Sequence, residues 1–152
     1  MNKSGMGKFL NDISIGLAGH TKGGPAKVAV IASGLLGSIN GSAVANVVTT
    51  GTFTIPLMKK VGYSKEFAGA VESTASVGGQ LLPPIMGATA FIMAETLGIQ
   101  YREIVIAAAI PAIIYYLGII FQIQLKASKE DLGGMSKEDL PSLSETLKNY
   151  WH

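Results

Sequence analysis

The chain has no cysteine, and its only histidines are His20 and His152. The first absence excludes a disulfide framework, a thiol nucleophile and a thiolate metal site, and the second leaves too few imidazoles for a zinc site. Charge is scarce as well: 14% of residues are charged against 48% hydrophobic, and the mean hydropathy is +0.38. That balance does not fit an ordinary soluble domain and points to a bilayer as the solvent. A net charge of +2 is too small to argue for nucleic acid, and no basic-aromatic stripe is present. Gly34, Gly37 and Gly41 follow no strand and precede no Gly-Lys-Ser or Gly-Lys-Thr, which excludes a phosphate loop. Neither a Ser/His/Asp set nor a carboxylate pair offers catalysis, so no enzyme and no cofactor are expected. The first residues, MNKSGMGKFLNDIS, lack the apolar core and cleavage site of a signal peptide. Insertion is therefore expected to rely on the hydrophobic segments themselves.

What the chain does have is a set of long apolar runs, two of them interrupted. Val28 to Met58 carries no charge over about thirty residues and is broken near its middle by Ser38-Ile39-Asn40-Gly41-Ser42. One helix of that length would rise about 45 Å, against a hydrocarbon core of about 30 Å. Split at the break, each half is too short to span, so the segment is expected to form a re-entrant hairpin. Phe67 to Ala94 is interrupted by Glu72, by Ser73, Thr74 and Ser76, and by Gly78-Gly79-Gln80-Leu81-Leu82-Pro83-Pro84, where paired glycines and prolines end a helix. This is a second broken helix. Ile104 to Leu125 is uncharged and long enough to span continuously, with Pro111 as a kink site and Tyr115 and Tyr116 near its centre. From Lys126 the chain turns polar, and 136–151 carries helix-start signals.

Charge placement supports the hairpin. Lys22 and Lys27 precede the first apolar run, Lys59, Lys60 and Lys65 follow it, and Lys126 and Lys129 follow the last one. The connection from Glu95 to Glu103 holds only Arg102 as a base. Under the positive-inside rule all three lysine groups are cytoplasmic, which a hairpin allows and a single crossing by Val28 to Met58 does not. The fold class expected is an all-α membrane protein: a re-entrant helical hairpin, a broken transmembrane helix, a continuous transmembrane helix and a polar helical tail. The divisions are a polar or amphipathic leader (1–24), the hairpin with a cytoplasmic connection (25–66), the broken helix plus the spanning helix (67–126), and a cytoplasmic tail or linker (127–152).

Chemistry is expected at the two breaks. Helix ends at membrane depth expose unpaired N–H groups that suit an anion and unpaired carbonyls that suit a cation. Ser38, Asn40, Ser42, Asn46, Thr49 and Thr50 add neutral oxygens and amides, and Gly37 and Gly41 allow close approach of backbone. At the second break Gly78, Gly79, Gln80, Pro83 and Pro84 would complete a solute and ion site, with sodium at Asn40, Ser42 and Gly79. Packing between helices is the competing role for these small residues, and it is the one favoured for Thr49, Thr50, Thr52 and Thr54. Glu72 is the candidate proton carrier, since an ionisable group at depth is costly and marks function. Its place barely two turns after Lys65 also allows a position near the cytoplasmic surface. Sodium is preferred over the proton as coupling ion because the breaks supply more neutral oxygens than titratable groups.

Three blocks then carry a family resemblance: GHTKGGPAKVAV at 19–30, GSINGSAVANVVTTGTFTIPLMKKVGYS at 37–64 and FAGAVESTASVGGQLLPPIMGATAFIMAE at 67–95. In length and order they resemble the large membrane subunit of tripartite ATP-independent periplasmic (TRAP) transporters, especially fused small/large permeases. Asn40 stands where the family pattern often has serine. The resemblance implies a multi-pass protein of a bacterial or archaeal inner membrane that imports organic acids with an ion gradient. It further implies as partners a periplasmic solute-binding protein, the remaining half of the large permease subunit and the small subunit. The chain looks like an excerpt of such a permease. A truncated structural or regulatory membrane protein that moves no solute is the alternative, and an ion channel is a third architecture that the hairpin permits.

Overall fold

The computed structural model describes Ser14, Ile15, Ala18, Gly19 and residues 21–133. The proposed polar tail helix and most of the leader lie outside the described residues. Ser14, Ile15 and Ala18 are helical, and from residue 21 on the described residues form, in order, α1 (Gly24–Asn40), α2 (Ala43–Lys60), α3 (Lys65–Gly79), α4 (Ala88–Leu97) and α5 (Tyr101–Lys129). Among the described residues all regular structure is helical.

The first apolar run is a hairpin, as expected, but its break is narrower than the sequence suggests. Ser38, Ile39 and Asn40 remain helical, and only Gly41 and Ser42 make the turn. Gly41 ends α1 in the left-handed region at φ 64°, a conformation that costs other residues and not glycine. Ser42 is extended and starts α2, its side chain accepting from the Ala45 N–H. The helix continues through Pro56 to Lys59 and Lys60, whose charges suit the negative end of the helix dipole. Ser64 caps α3 in the same manner by accepting from the Phe67 N–H.

α3 packs against both arms of the hairpin, and the contact surface is made of small side chains. Ala26, Ala29, Val30, Ala68, Val71 and Ala75 are buried with Met58, Tyr63 and Ile123. Alanine at these positions lets helix axes approach closely, which is how helices associate where no water drives them together. A smaller cluster of Met86, Ala90, Ala94 and Ile104 joins α4 to α5.

The second apolar run is interrupted between Gly79 and Ala88, as expected, and a cis bond joins Pro83 to Pro84 within the break. The third is continuous: α5 is helical straight through Pro111. By length and composition it is the one described helix that could cross a membrane. Ile106, Ile110, Ile113, Leu117, Phe121 and Leu125 stand exposed along it.

All the lysine-bearing helix ends lie at one end of the bundle. Lys27 at the start of α1 donates to Gln124 Oε1 of α5 at 2.6 Å, and Lys22 pairs with Asp131 at 3.3 Å. Tyr63, between α2 and α3, shares a core cluster with Ile123, and its hydroxyl would stand 2.9 Å from a Cβ on Gly23. Tyr115 and Tyr116 fasten the middle of α5 to α3 by donating to the carbonyls of Thr74 at 2.9 Å and Ala75 at 2.8 Å.

Candidate functional site

The tip of the hairpin and the break after α3 meet main chain to main chain. A Cβ on Gly37 would stand 2.9 Å from the Gly79 Cα, and one on Gly79 would stand 2.6 Å from the Gly37 Cα. A Cβ on Gly41 would collide with the Met86 carbonyl oxygen. The Ser38 carbonyl accepts from the N–H groups of Ile85 at 3.2 Å and Met86 at 3.3 Å. The Gly41 carbonyl accepts from Gln80 Nε2 at 3.3 Å. Met86 itself sits at φ 64°, a left-handed conformation that costs a residue with a β-carbon about 1–2 kcal/mol. The hydrogen bond that its N–H donates to the Ser38 carbonyl is one of the contacts that hold it there.

Several groups expected to stand free are instead used locally. Ser38 Oγ donates to the Leu35 carbonyl at 2.9 Å, Asn40 Oδ1 accepts from the Ser42 N–H at 3.0 Å, and Ser42 Oγ accepts from the Ala45 N–H at 3.3 Å. In the break the carbonyls of Gly78, Gly79 and Gln80 accept from the N–H groups of Leu81 at 3.0 Å, Leu82 at 3.3 Å and Gly87 at 2.8 Å. Each oxygen keeps a second lone pair, so ligand binding remains open to it. Pro84 faces another partner: Tyr101 Oη lies 3.5 Å from its carbonyl and donates to that of Ile85. Gly78 is a packing glycine, because a Cβ there would stand 2.5 Å from the Tyr115 ring.

Below the tip a buried polar network runs along the hairpin. Asn46 is wholly buried, and its Nδ2 donates to the Ser33 carbonyl at 2.8 Å and to Ser76 Oγ at 3.1 Å. Asn40 Nδ2 donates to Asn46 Oδ1 at 3.3 Å, which ties the tip into the network. At its centre is Glu72, 0% exposed and away from the protein surface. Ser33 Oγ donates to Glu72 Oε1 at 2.7 Å, Ser76 Oγ donates to the same oxygen at 3.2 Å, and Thr50 Oγ1 does so as well. Thr54 Oγ1 donates to Oε2 at 2.5 Å. Among the described residues no basic side chain forms an ion pair with this carboxyl.

Thr50 and Thr54, for which helix packing is the favoured expectation, reach the carboxyl together with Ser33, for which the sequence sets no expectation. The available signal was spacing: Asn46, Thr50 and Thr54 recur every four residues on one face of α2, as do Glu72 and Ser76 on α3. Thr49 and Thr52 do keep to their own helix, donating to the carbonyls of Ala45 at 2.7 Å and Thr49 at 2.9 Å.

Two interrupted helical elements docked at their breaks, with a long apolar helix beside them, are an arrangement that membrane transporters use. The family model described as the tripartite ATP-independent periplasmic transporter, DctM component, matches residues 1–152. The chain belongs to this family. Its relatives include a putative TRAP transporter large permease protein of Haemophilus influenzae, 27% identical over 98% of this chain and 35% of the relative. The C4-dicarboxylate TRAP transporter large permease protein DctM of Vibrio cholerae is 29% identical over 97% of this chain and 32% of its own length. The 2,3-diketo-L-gulonate TRAP transporter large permease protein YiaN of Escherichia coli is 24% identical over 100% of this chain and 34% of its own. The chain thus spans about a third of the length of these relatives. These DctM-component relatives are permease proteins and not enzymes.

Proposed function

We propose that this chain is part of the transport domain of a secondary active solute transporter that imports organic acids with an ion gradient. The observation that carries the reading is the contact between tip and break, where Gly41 and Ser38 meet Gln80, Ile85 and Met86 through main-chain groups. Neutral oxygens concentrated where two helices are interrupted suit a weakly held ion and a carboxylate solute. The printed names of the relatives support an acidic solute: a C4-dicarboxylate, 2,3-diketo-L-gulonate and, for a permease of Haemophilus influenzae 25% identical to this chain, sialic acid. Sodium is the coupling ion we favour, held by Asn40, Ser42 and Gly79 through the lone pairs that their internal bonds leave over. The partners in this reading are a periplasmic solute-binding protein, the remainder of the large subunit, the small subunit and the lipid bilayer. The lysine-bearing end faces the cytoplasm of an inner-membrane, multi-pass protein.

The test is uptake of a labelled dicarboxylate or sialic acid by the full-length permease containing this segment, reconstituted with its small subunit and binding protein. A sodium gradient should drive uptake, and Asn40→Ala should raise the sodium concentration that it requires. Uptake driven equally well by a proton gradient without sodium would remove the sodium assignment. Absence of gradient-driven uptake altogether would replace the transport reading with that of a structural or regulatory membrane protein.

A further inference from the structure

We propose that the Glu72 carboxyl is a proton-exchange site enclosed between the hairpin and α3, taking up and releasing one proton among its four surrounding hydroxyls as that of Thr54 re-aims. The geometry supplies the reason. A hydroxyl has one proton to give, yet Ser33, Thr50 and Thr54 each have more than one acceptor in reach, Ser33 Oγ lying 2.7 Å from Glu72 Oε1 and 3.0 Å from Thr50 Oγ1. Thr54 Oγ1 lies 2.5 Å from Glu72 Oε2 and 3.0 Å from the Thr50 carbonyl. Thr50 Oγ1 likewise reaches both Glu72 Oε1 and, at 2.8 Å, the Asn46 carbonyl.

With Glu72 ionised, Ser33, Thr50, Ser76 and Thr54 all point their O–H groups at the carboxylate and disperse its charge. Once a proton from water forms an O–H at Oε2, that group donates to Thr54 Oγ1, and Thr54 swings its own proton to the Thr50 carbonyl. Releasing the proton to water returns the Thr54 hydroxyl to Oε2. Neither state leaves a buried donor unpaired, and so neither bears the cost of about 1–3 kcal/mol for an unsatisfied group. Fixed N–H donors would hold only the anion, and a lysine or arginine partner would do the same. The elements packed on this carboxyl bring no such group: α1 contributes Ser33, α2 contributes Thr50 and Thr54, and the titratable side chain on α5 that faces it is Tyr116, which donates to the Ala75 carbonyl at 2.8 Å.

The spacing favours a proton over a metal ion. Oxygen pairs at 2.5 Å (Thr54 to Glu72) and 2.7 Å (Ser33 to Glu72) have hydrogen-bond separations. Even a small ion such as Mg²⁺ sits about 2.0–2.1 Å from each of its oxygens and would force these pairs apart. The network also links the site to the tip. Ser76, which donates to Glu72, accepts from Asn46, and Asn46 in turn accepts from Asn40. A change of charge at Glu72 is therefore felt by the residue beside Gly41.

This inference stands on the cluster and deepens the transport reading without depending on it. Infrared difference spectra between acid and alkaline pH, recorded on the purified full-length permease, read the carboxyl directly. The parent should show the C=O stretching band of a protonated carboxylic acid that Glu72→Gln lacks, and Thr54→Val should displace that band because the acid loses its acceptor. Identical difference spectra for the parent and Glu72→Gln would overturn the proposal. If Glu72→Gln fails to fold, Thr54→Val decides, and an undisplaced band overturns it. Loss of gradient-driven uptake in the earlier assay would leave the band untouched, so the two readings fail separately.

Discussion

Gly37 and Gly79 touch through their backbones: a methyl group on Gly79 would stand 2.6 Å from the Gly37 Cα. The hairpin and the interrupted helix can dock only because neither residue has a side chain. Gly79→Ala should therefore force tip and break apart and cost about 1–3 kcal/mol, the range for overpacking a filled core. Gly69, which has nothing within 4 Å of an added Cβ, is the control. Gly69→Ala removes only helix-interior glycine entropy and should stabilise by about 0.5–1 kcal/mol. Chemical unfolding of the purified full-length permease compares the two, and equal effects would show that the contact contributes nothing.

Asn46 spans the gap between α1 and α3 with the two protons of one amide. Asn46→Ala should cost about 1–3 kcal/mol, because buried acceptors lose their donor where no water can replace it. Asn46→Asp should be worse, since it aims a carboxylate oxygen at the Ser33 carbonyl. A thermal unfolding scan in detergent checks both, and an Asn46→Asp variant as stable as the parent would contradict the hydrogen-bond assignment.

Ser42 has two roles to separate, a helix cap that the structure shows and an ion ligand that we propose. Ser42→Ala should lose about 0.5–2 kcal/mol of stability from the missing cap. Ser42→Asn keeps a capping oxygen but changes the geometry offered to an ion. Stability restored in Ser42→Asn with sodium dependence still impaired would separate the two roles. Normal sodium dependence in both variants would confine Ser42 to capping.

Tyr63 provides the pH dependence. Its hydroxyl is buried without a hydrogen-bond partner, and burial together with the charge of Glu130 pushes it from an ordinary value of about 10 up to about 12. Between these values the unfolded chain has released the proton while the folded chain still holds it, so stability falls as pH rises. Below about 10 the contribution is complete. Unfolding midpoints measured across this alkaline range should decline less steeply in Tyr63→Phe than in the parent, and parallel declines would remove the assignment.

Cysteines placed singly at Lys22 and Lys59 should both react with an impermeant thiol reagent from the cytoplasmic side, and one at Ile99 from the opposite side. Labelling of Lys22 and Lys59 positions from opposite faces would eliminate the re-entrant topology.

The sequence by itself determined the order and type of the elements. Local rules act over a few residues: Gly41 and Ser42 stop one helix and start the next, Gly79 to Pro84 interrupt the second run, and the uncharged stretch around Tyr115 and Tyr116 stays helical because α5 satisfies its own backbone. Which side chains meet was a different matter. Gly37 and Gly79, Asn46 and Ser76, and Ser33 and Glu72 lie 42, 30 and 39 residues apart, and their contacts depend on how α3 rotates and slides against the hairpin. That arrangement is set by the alanine and glycine surfaces packing together, a property of two faces at once that no single segment carries. The tertiary structure therefore decided that Glu72 is enclosed by four hydroxyls, and that the turn at the tip is two residues long.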